Sequence, residues 1–123
     1  MGESSDNDAF FDDDLPAFAP GALVRHRRYD YRGVVVDFDM SCGASDEWYN
    51  RNRSQPERDQ PWYHVLVDGS DVITYAAQTS LMAEEAPAPI AHPLIAYFFA
   101  GFGGGRYDRN DRNWPGWQPP PPE

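Results

Sequence analysis

Four guanidiniums fall within eight residues of this chain: Arg25, Arg27, Arg28 and Arg32. An Arg fork matches phosphate oxygens bidentately, so the cluster has the chemistry of a phosphate-contacting edge. Four such contacts to a duplex would give a salt slope of about −3.6, at roughly −0.9 per phosphate, which describes weak binding without base readout. Strand alternation divides the group, placing Arg25 and Arg27 on one face and Arg28 on the other. A plainer reading is a set of solvated strand residues balanced by Asp30, Asp37 and Asp39, the last two sharing one strand face and pairing across the ladder with Arg25 or Arg27.

No other constellation points to a reaction. His26, His64 and His92 match no zinc spacing, and Cys42 has no second cysteine with which to complete a metal set or a disulfide. Cys42 also lacks a neighbouring base. His64, between Trp62 and Leu66, reads as a hydrogen-bonded core or interface histidine. The chain contains no Lys, which excludes a Schiff-base or phosphate-loop lysine. No cofactor, metal or catalytic residue is expected. Trp48, Tyr49, Trp62 and Tyr63 are large rings close together in sequence. They could fill one end of a small core, or could stand at the surface with His64 as anchors for a protein partner.

The elements that position these residues are mostly strands. Ala22–Arg28 and Arg32–Asp39 alternate apolar and polar residues around a Tyr29-Asp30 turn. Gly33 marks a bulge or a close backbone approach. Met40–Gln60 is a long polar connection in which Asp46–Asn50 can form one helical turn. Trp62–Asp68 is apolar on both faces, as in a central or interface strand, which makes self-association plausible. Asp68-Gly69-Ser70-Asp71 is a hairpin signal leading to Val72–Ala76, and Gln78–Met82 can add a short last strand. Leu94–Phe99 reads as a helical turn. The expected fold class is mainly β: a small SH3-like barrel of about five short antiparallel strands spanning 21–99.

The net charge of −10 is uneven, because residues 1–20 hold six acids and no base. That head, and a Gly/Arg/Pro/Trp tail over 100–123, are expected to be disordered for want of periodic apolar surface. Within the tail, Tyr107 and Trp114 could dock in a partner's groove. The longest apolar run, Leu94–Ala100, is far too short to span a bilayer. No secretory signal is visible, Asp6 breaks a myristoylation pattern, and the lone cysteine suits a reducing compartment. The expected location is cytoplasmic.

Several blocks together form a signature: Gly21-x-x-Val24-Arg25-His26, Tyr31–Asp39 (YRGVVVDFD), Glu47-Trp48-Tyr49, Asp59–Val67 (DQPWYHVLV), Thr74-Tyr75 and His92-Pro93. They resemble the HspQ family, also called the YccV-like or hemimethylated-DNA-binding domain, over roughly Gly21–Tyr97. The resemblance implies an SH3-like barrel in a small bacterial heat-shock protein. It also implies two activities, binding of hemimethylated DNA and enhancement of degradation by the Lon protease. The first reading is therefore a non-enzymatic adaptor whose partners are Lon protease or its substrates. The second is a DNA-binding module that uses Arg25, Arg27, Arg28 and Arg32.

Overall fold

The computed structural model describes residues 16–86 and 88–114. Strands β1 (Leu23–His26), β2 (Arg32–Asp39), β3 (Trp62–Val67), β4 (Ile73–Ala77) and β5 (Leu81–Ala83) form one antiparallel sheet in the order β4-β3-β2-β1-β5. A 3₁₀ turn at Gln78–Ser80 carries the chain from the β4 edge to the β5 edge. Four residue steps span at most about 14 Å, so the two edges face each other and the sheet must curl. The fold is mainly β with five short antiparallel strands in the main sheet, as expected; no ladder joins β4 to β5, so the barrel is not closed by hydrogen bonds and covalent chain spans the seam.

Curling gives every central strand two dry faces. Val24, Val35, Tyr63, Val65, Ala76 and Leu81 meet inside the curl. Leu23, Val34, Val36 and Leu66, their alternation partners, meet Ile90, Phe98, Phe99 and Tyr107 on the outside. The apolar character of both β3 faces is thus absorbed within the chain. Gly33 allows the backbones to close up. A Cβ there would lie 2.4 Å from the Leu66 carbonyl oxygen and 2.6 Å from Val65 Cγ1. The bulge lies further along, where the β2–β3 register shifts between Val35 and Asp37. Val36 is left out of the ladder, and Arg109 Nε donates to its carbonyl at 2.8 Å.

Helix α1 (Asp46–Arg51) begins at Ser45, whose hydroxyl accepts from the Trp48 amide at 3.1 Å. Helix α2 (Ile95–Phe98) leads into a hairpin of β6 (Phe99–Gly103) and β7 (Arg106–Arg109). This hairpin corrects the expectation that disorder starts at Ala100. Gly104 and Gly105, at φ 64° and 80°, form its turn. Phe102 pairs with Tyr107 across the ladder. Tyr107 is buried, its hydroxyl accepting from the Ile90 amide at 3.0 Å and donating to the Ile90 carbonyl at 3.3 Å. Glycines that look like flexible filler are turn chemistry between aromatic strand residues. Trp114 does find a groove, but within its own chain, against His64 and Phe98. The expectations for residues 1–15 and 115–123 lie outside the described residues.

Candidate functional site

The arginine cluster is built on β1, β2 and the turn between them. Arg25 sits opposite Arg32 on one side and Met82 on the other. Two guanidiniums this close repel unless anions intervene, and the chain following β5 supplies one. Arg25 Nε donates to Glu84 Oε1 at 3.0 Å and its Nη2 to Oε2 at 2.8 Å, while Arg32 Nε donates to the same Oε2 at 2.9 Å. Asp30 takes a further bond from Arg25 at 3.0 Å, and Asp68 one from Arg32 at 3.0 Å. Carbonyls of Ala86, Ala88 and Pro89 surround the remaining Arg32 nitrogens. The Glu84 side chain is only 6% exposed. The two arginines hold its carboxyl below the usual carboxylate range, and Glu84 with Asp30 raises the Arg25 pKa.

Arg25 and Arg32 are therefore a structural clamp tying β1, β2 and the post-β5 segment together. The expected Asp37 and Asp39 partners are not used, because Arg25 lies opposite Arg32 while those residues stand five and seven positions further along β2, opposite His64 and Trp62 of β3. Arg27 and Arg28 remain exposed. Arg27 Nε donates to the Leu81 carbonyl at 3.2 Å, and Arg28 lies over the Tyr29 ring at 5.7 Å.

The three histidines go to three separate places. His26 Nδ1 accepts from the Arg28 and Tyr29 amides, both at 3.1 Å, which fixes the turn in which Asp30 takes φ 58°. Burial, helped by the nearby Arg28 charge, lowers the His26 pKa. His64 stacks on Tyr75, with Nε2 3.4 Å from Asp39 Oδ2. Burial lowers its pKa too, outweighing the opposing pull of Asp39. His92 contacts the Val72 carbonyl through Nε2 and accepts from the Leu94 amide at Nδ1. Among the described residues no group of three or more His, Cys, Asp or Glu could hold a metal ion.

Both imidazoles are thus held neutral in the fold, while in the unfolded chain they protonate near the ordinary value of about 6.5. Because the folded pKa values are depressed, their contribution is complete above that value and is lost as pH falls through the folded pKa values. Glu84 behaves in the same sense at lower pH, from its ordinary carboxylate range downward. We expect the urea midpoint to be flat from about pH 7 to 9, to decline below about pH 6.5, and to fall again below about pH 4.5. A midpoint that rises between pH 7 and 5.5 would contradict this assignment.

Of the two alternatives for the aromatic group, the structure takes the first: the rings fill one end of the core rather than standing at the surface as anchors. Trp48, Trp62, Tyr63 and His64 are buried; Tyr49 is half-buried. Trp48 meets Trp62 and Tyr75 edge-on, at centroid distances of 6.4 and 5.8 Å. Trp62 Nε1 donates to the Glu57 carbonyl at 3.2 Å, and Tyr49 hydroxyl to Pro56 at 2.7 Å. Arg58 covers the Tyr49 ring at 4.9 Å. These contacts fasten the long β2–β3 connection over one end of the sheet. Sequence reading missed Glu84 and Asp68 as partners of the arginines, since nothing local marks a carboxylate 36 to 59 positions away.

The family model described as "Hemimethylated DNA-binding protein YccV like" matches residues 16–106. The chain belongs to the YccV-like family. The YccV-like match takes in all five sheet strands, the arginine clamp and the start of the β6–β7 hairpin. F-box only protein 21 of Homo sapiens is 38% identical over 97 residues, which is 76% of this chain and 15% of that protein. The proteins of the same name from Mus musculus and Pongo abelii match to the same extent. The YccV-like chain thus spans only about 15% of the length of these curated relatives.

Proposed function

We propose that this YccV-like chain is a non-enzymatic, protein-binding adaptor of cytoplasmic protein quality control, of the kind that the resemblance to HspQ describes, modulating degradation by the Lon protease. The observation that carries this reading is the spent arginine cluster. Arg25 and Arg32 are saturated by Glu84, Asp30 and Asp68 in a chain of net charge −10. A polyanion must overcome that overall charge, and only Arg27 and Arg28 of the cluster are left to meet it. Similarity to a stretch of the much longer F-box only protein 21 supports a portable recognition module.

The second reading is a DNA-binding module, favoured by the hemimethylated-DNA binding that describes the family. With two available guanidiniums instead of four, its salt slope would fall to about −1.8. Retention of the purified full chain on hemimethylated and fully methylated duplexes, at two salt concentrations, separates the readings. We expect equal, weak retention that vanishes with salt, together with at least a twofold change in the rate at which purified Lon degrades a substrate. Unchanged degradation and no protease binding would remove the adaptor reading. Preferential retention of the hemimethylated duplex at the higher salt would install the DNA reading.

A further inference from the structure

The exposed pair Arg27 and Arg28 opens onto a surface cleft of about 330 Å³ between the β1–β2 turn, the β2–β3 connection and the 3₁₀ turn. No carboxylate among the described residues is within ion-pair distance of either arginine, whereas Arg25, Arg32 and Arg58 each have one. Arg27 spends Nε on the Leu81 carbonyl and keeps both Nη groups. The Arg28 guanidinium lies over the Tyr29 ring and makes no hydrogen bond among the described residues. Ser54, Gln55, Thr79 and Ser80 complete the walls. Those walls are fixed from behind: the Arg27 amide donates to the Ser80 carbonyl at 2.9 Å, the Thr79 amide to Gln60 Oε1 at 3.0 Å, and Gln55 Nε2 to the Asn52 carbonyl. The hydroxyls of Ser54, Thr79 and Ser80 bond to no described residue and are left for a ligand.

The donor set selects the chemistry of that ligand. Two guanidiniums beside three hydroxyls offer a double positive charge and more donors than the two oxygens of a carboxylate can use. A phosphomonoester carries a charge of about −1.5 to −2 at pH 7 and three terminal acceptor oxygens, which Arg forks meet bidentately. At about 30 Å³ per water-sized group, the cleft takes roughly ten such groups, the size of one phosphoserine residue rather than of a bare ion. A nucleotide suits it less. None of the lining residues is Phe, Tyr or Trp, and the His26 imidazole is already stacked on Tyr29, so a base finds no platform. A duplex spreads its phosphates along a length over which the net charge of −10 repels it.

We propose that this cleft is a binding site for phosphoserine or phosphothreonine in a peptide segment of a partner protein. Arg27 and Arg28 take the phosphoryl oxygens, and the Ser54, Thr79 and Ser80 hydroxyls bond to the lone pairs that remain. The assignment deepens the protein-binding reading and rests on it, but it does not require Lon.

The test titrates the full chain into a fluorescein-labelled peptide of alanines flanking one phosphoserine, read by fluorescence anisotropy at about 0.15 M NaCl. Wild type is expected to bind it at least tenfold more tightly than the unphosphorylated peptide. R27Q/R28Q should lose at least tenfold in affinity and T79A/S80A about three- to tenfold. R51Q/R112Q, which removes the same charge from outside the cleft, should lose less than twofold. Equal affinity for the two peptides would overturn the proposal, as would an R27Q/R28Q loss that R51Q/R112Q matches or a T79A/S80A variant that binds like wild type. Inorganic phosphate competing as well as the unlabelled phosphopeptide would make this a free-anion site. A hemimethylated duplex competing better than that peptide would make it a nucleic-acid contact, and either result refutes the assignment. Phosphopeptide binding beside unchanged Lon degradation would leave the cleft standing and remove the protease; altered degradation without phosphopeptide binding would do the reverse.

Discussion

A chain ended after Phe99 is expected to lose cooperative thermal unfolding, although the five-stranded sheet is formally intact in it. Tyr107, Phe102 and Trp114 all pack against the outer apolar cluster. Removing one buried aromatic side chain costs about 3–5 kcal/mol, against a total stability of about 5–15 kcal/mol for a domain. Losing the whole hairpin also removes the Arg109 bond to the bulged Val36 carbonyl and both Tyr107 bonds to Ile90. Two point variants grade the effect. Tyr107→Ala should cost about 3–5 kcal/mol, and Tyr107→Phe about 1–2 kcal/mol for the two polar groups left unpaired. Circular dichroism melts of the three proteins make the comparison. A truncated chain that melts at the full-length midpoint would show that the hairpin is a mere appendage.

Gly33→Ala is expected to lower stability by about 3 kcal/mol, at the upper end of overpacking effects. The added methyl meets a backbone oxygen of β3, which cannot swing aside as a flexible side chain would, and Val65 Cγ1 is also too close. For a domain of this size that corresponds to a midpoint roughly 10–20 °C lower. Pairing the change with Val65→Ala should restore little, because the Leu66 carbonyl contact remains. Recovery of the wild-type midpoint in the double variant would show the side chain, and not the backbone, to be the obstacle.

Much of the sheet was legible because its signals are local. Alternation in Arg32–Asp39, the Asp68–Asp71 turn and the Tyr29-Asp30 turn each follow from a few neighbouring residues. The strand boundaries moved by one or two residues, and Gln78–Ser80 became a 3₁₀ turn ahead of the last strand. What escaped were long-range pairings. The glycine-rich tail reads as disorder by composition, yet Phe99, Phe102 and Tyr107 are spaced to fold back across Gly104-Gly105. The arginines read as a binding edge until Glu84, 59 positions beyond Arg25 in sequence, arrives beside them at the end of the neighbouring β5. The rings of Trp48 and Trp62 look surplus only until the long connection is seen to need a lining of its own.

The start and finish of the match lie side by side. The Gly21 carbonyl accepts from the Tyr107 amide at 2.9 Å, and Arg106 Nη2 donates to the Pro20 carbonyl at 3.0 Å. A unit whose incoming and outgoing strings emerge together can be spliced into a surface loop of an unrelated host without stretching either side. That geometry gives a physical reason why a stretch of 97 residues can recur within far larger chains: joining it needs only two adjacent stitches.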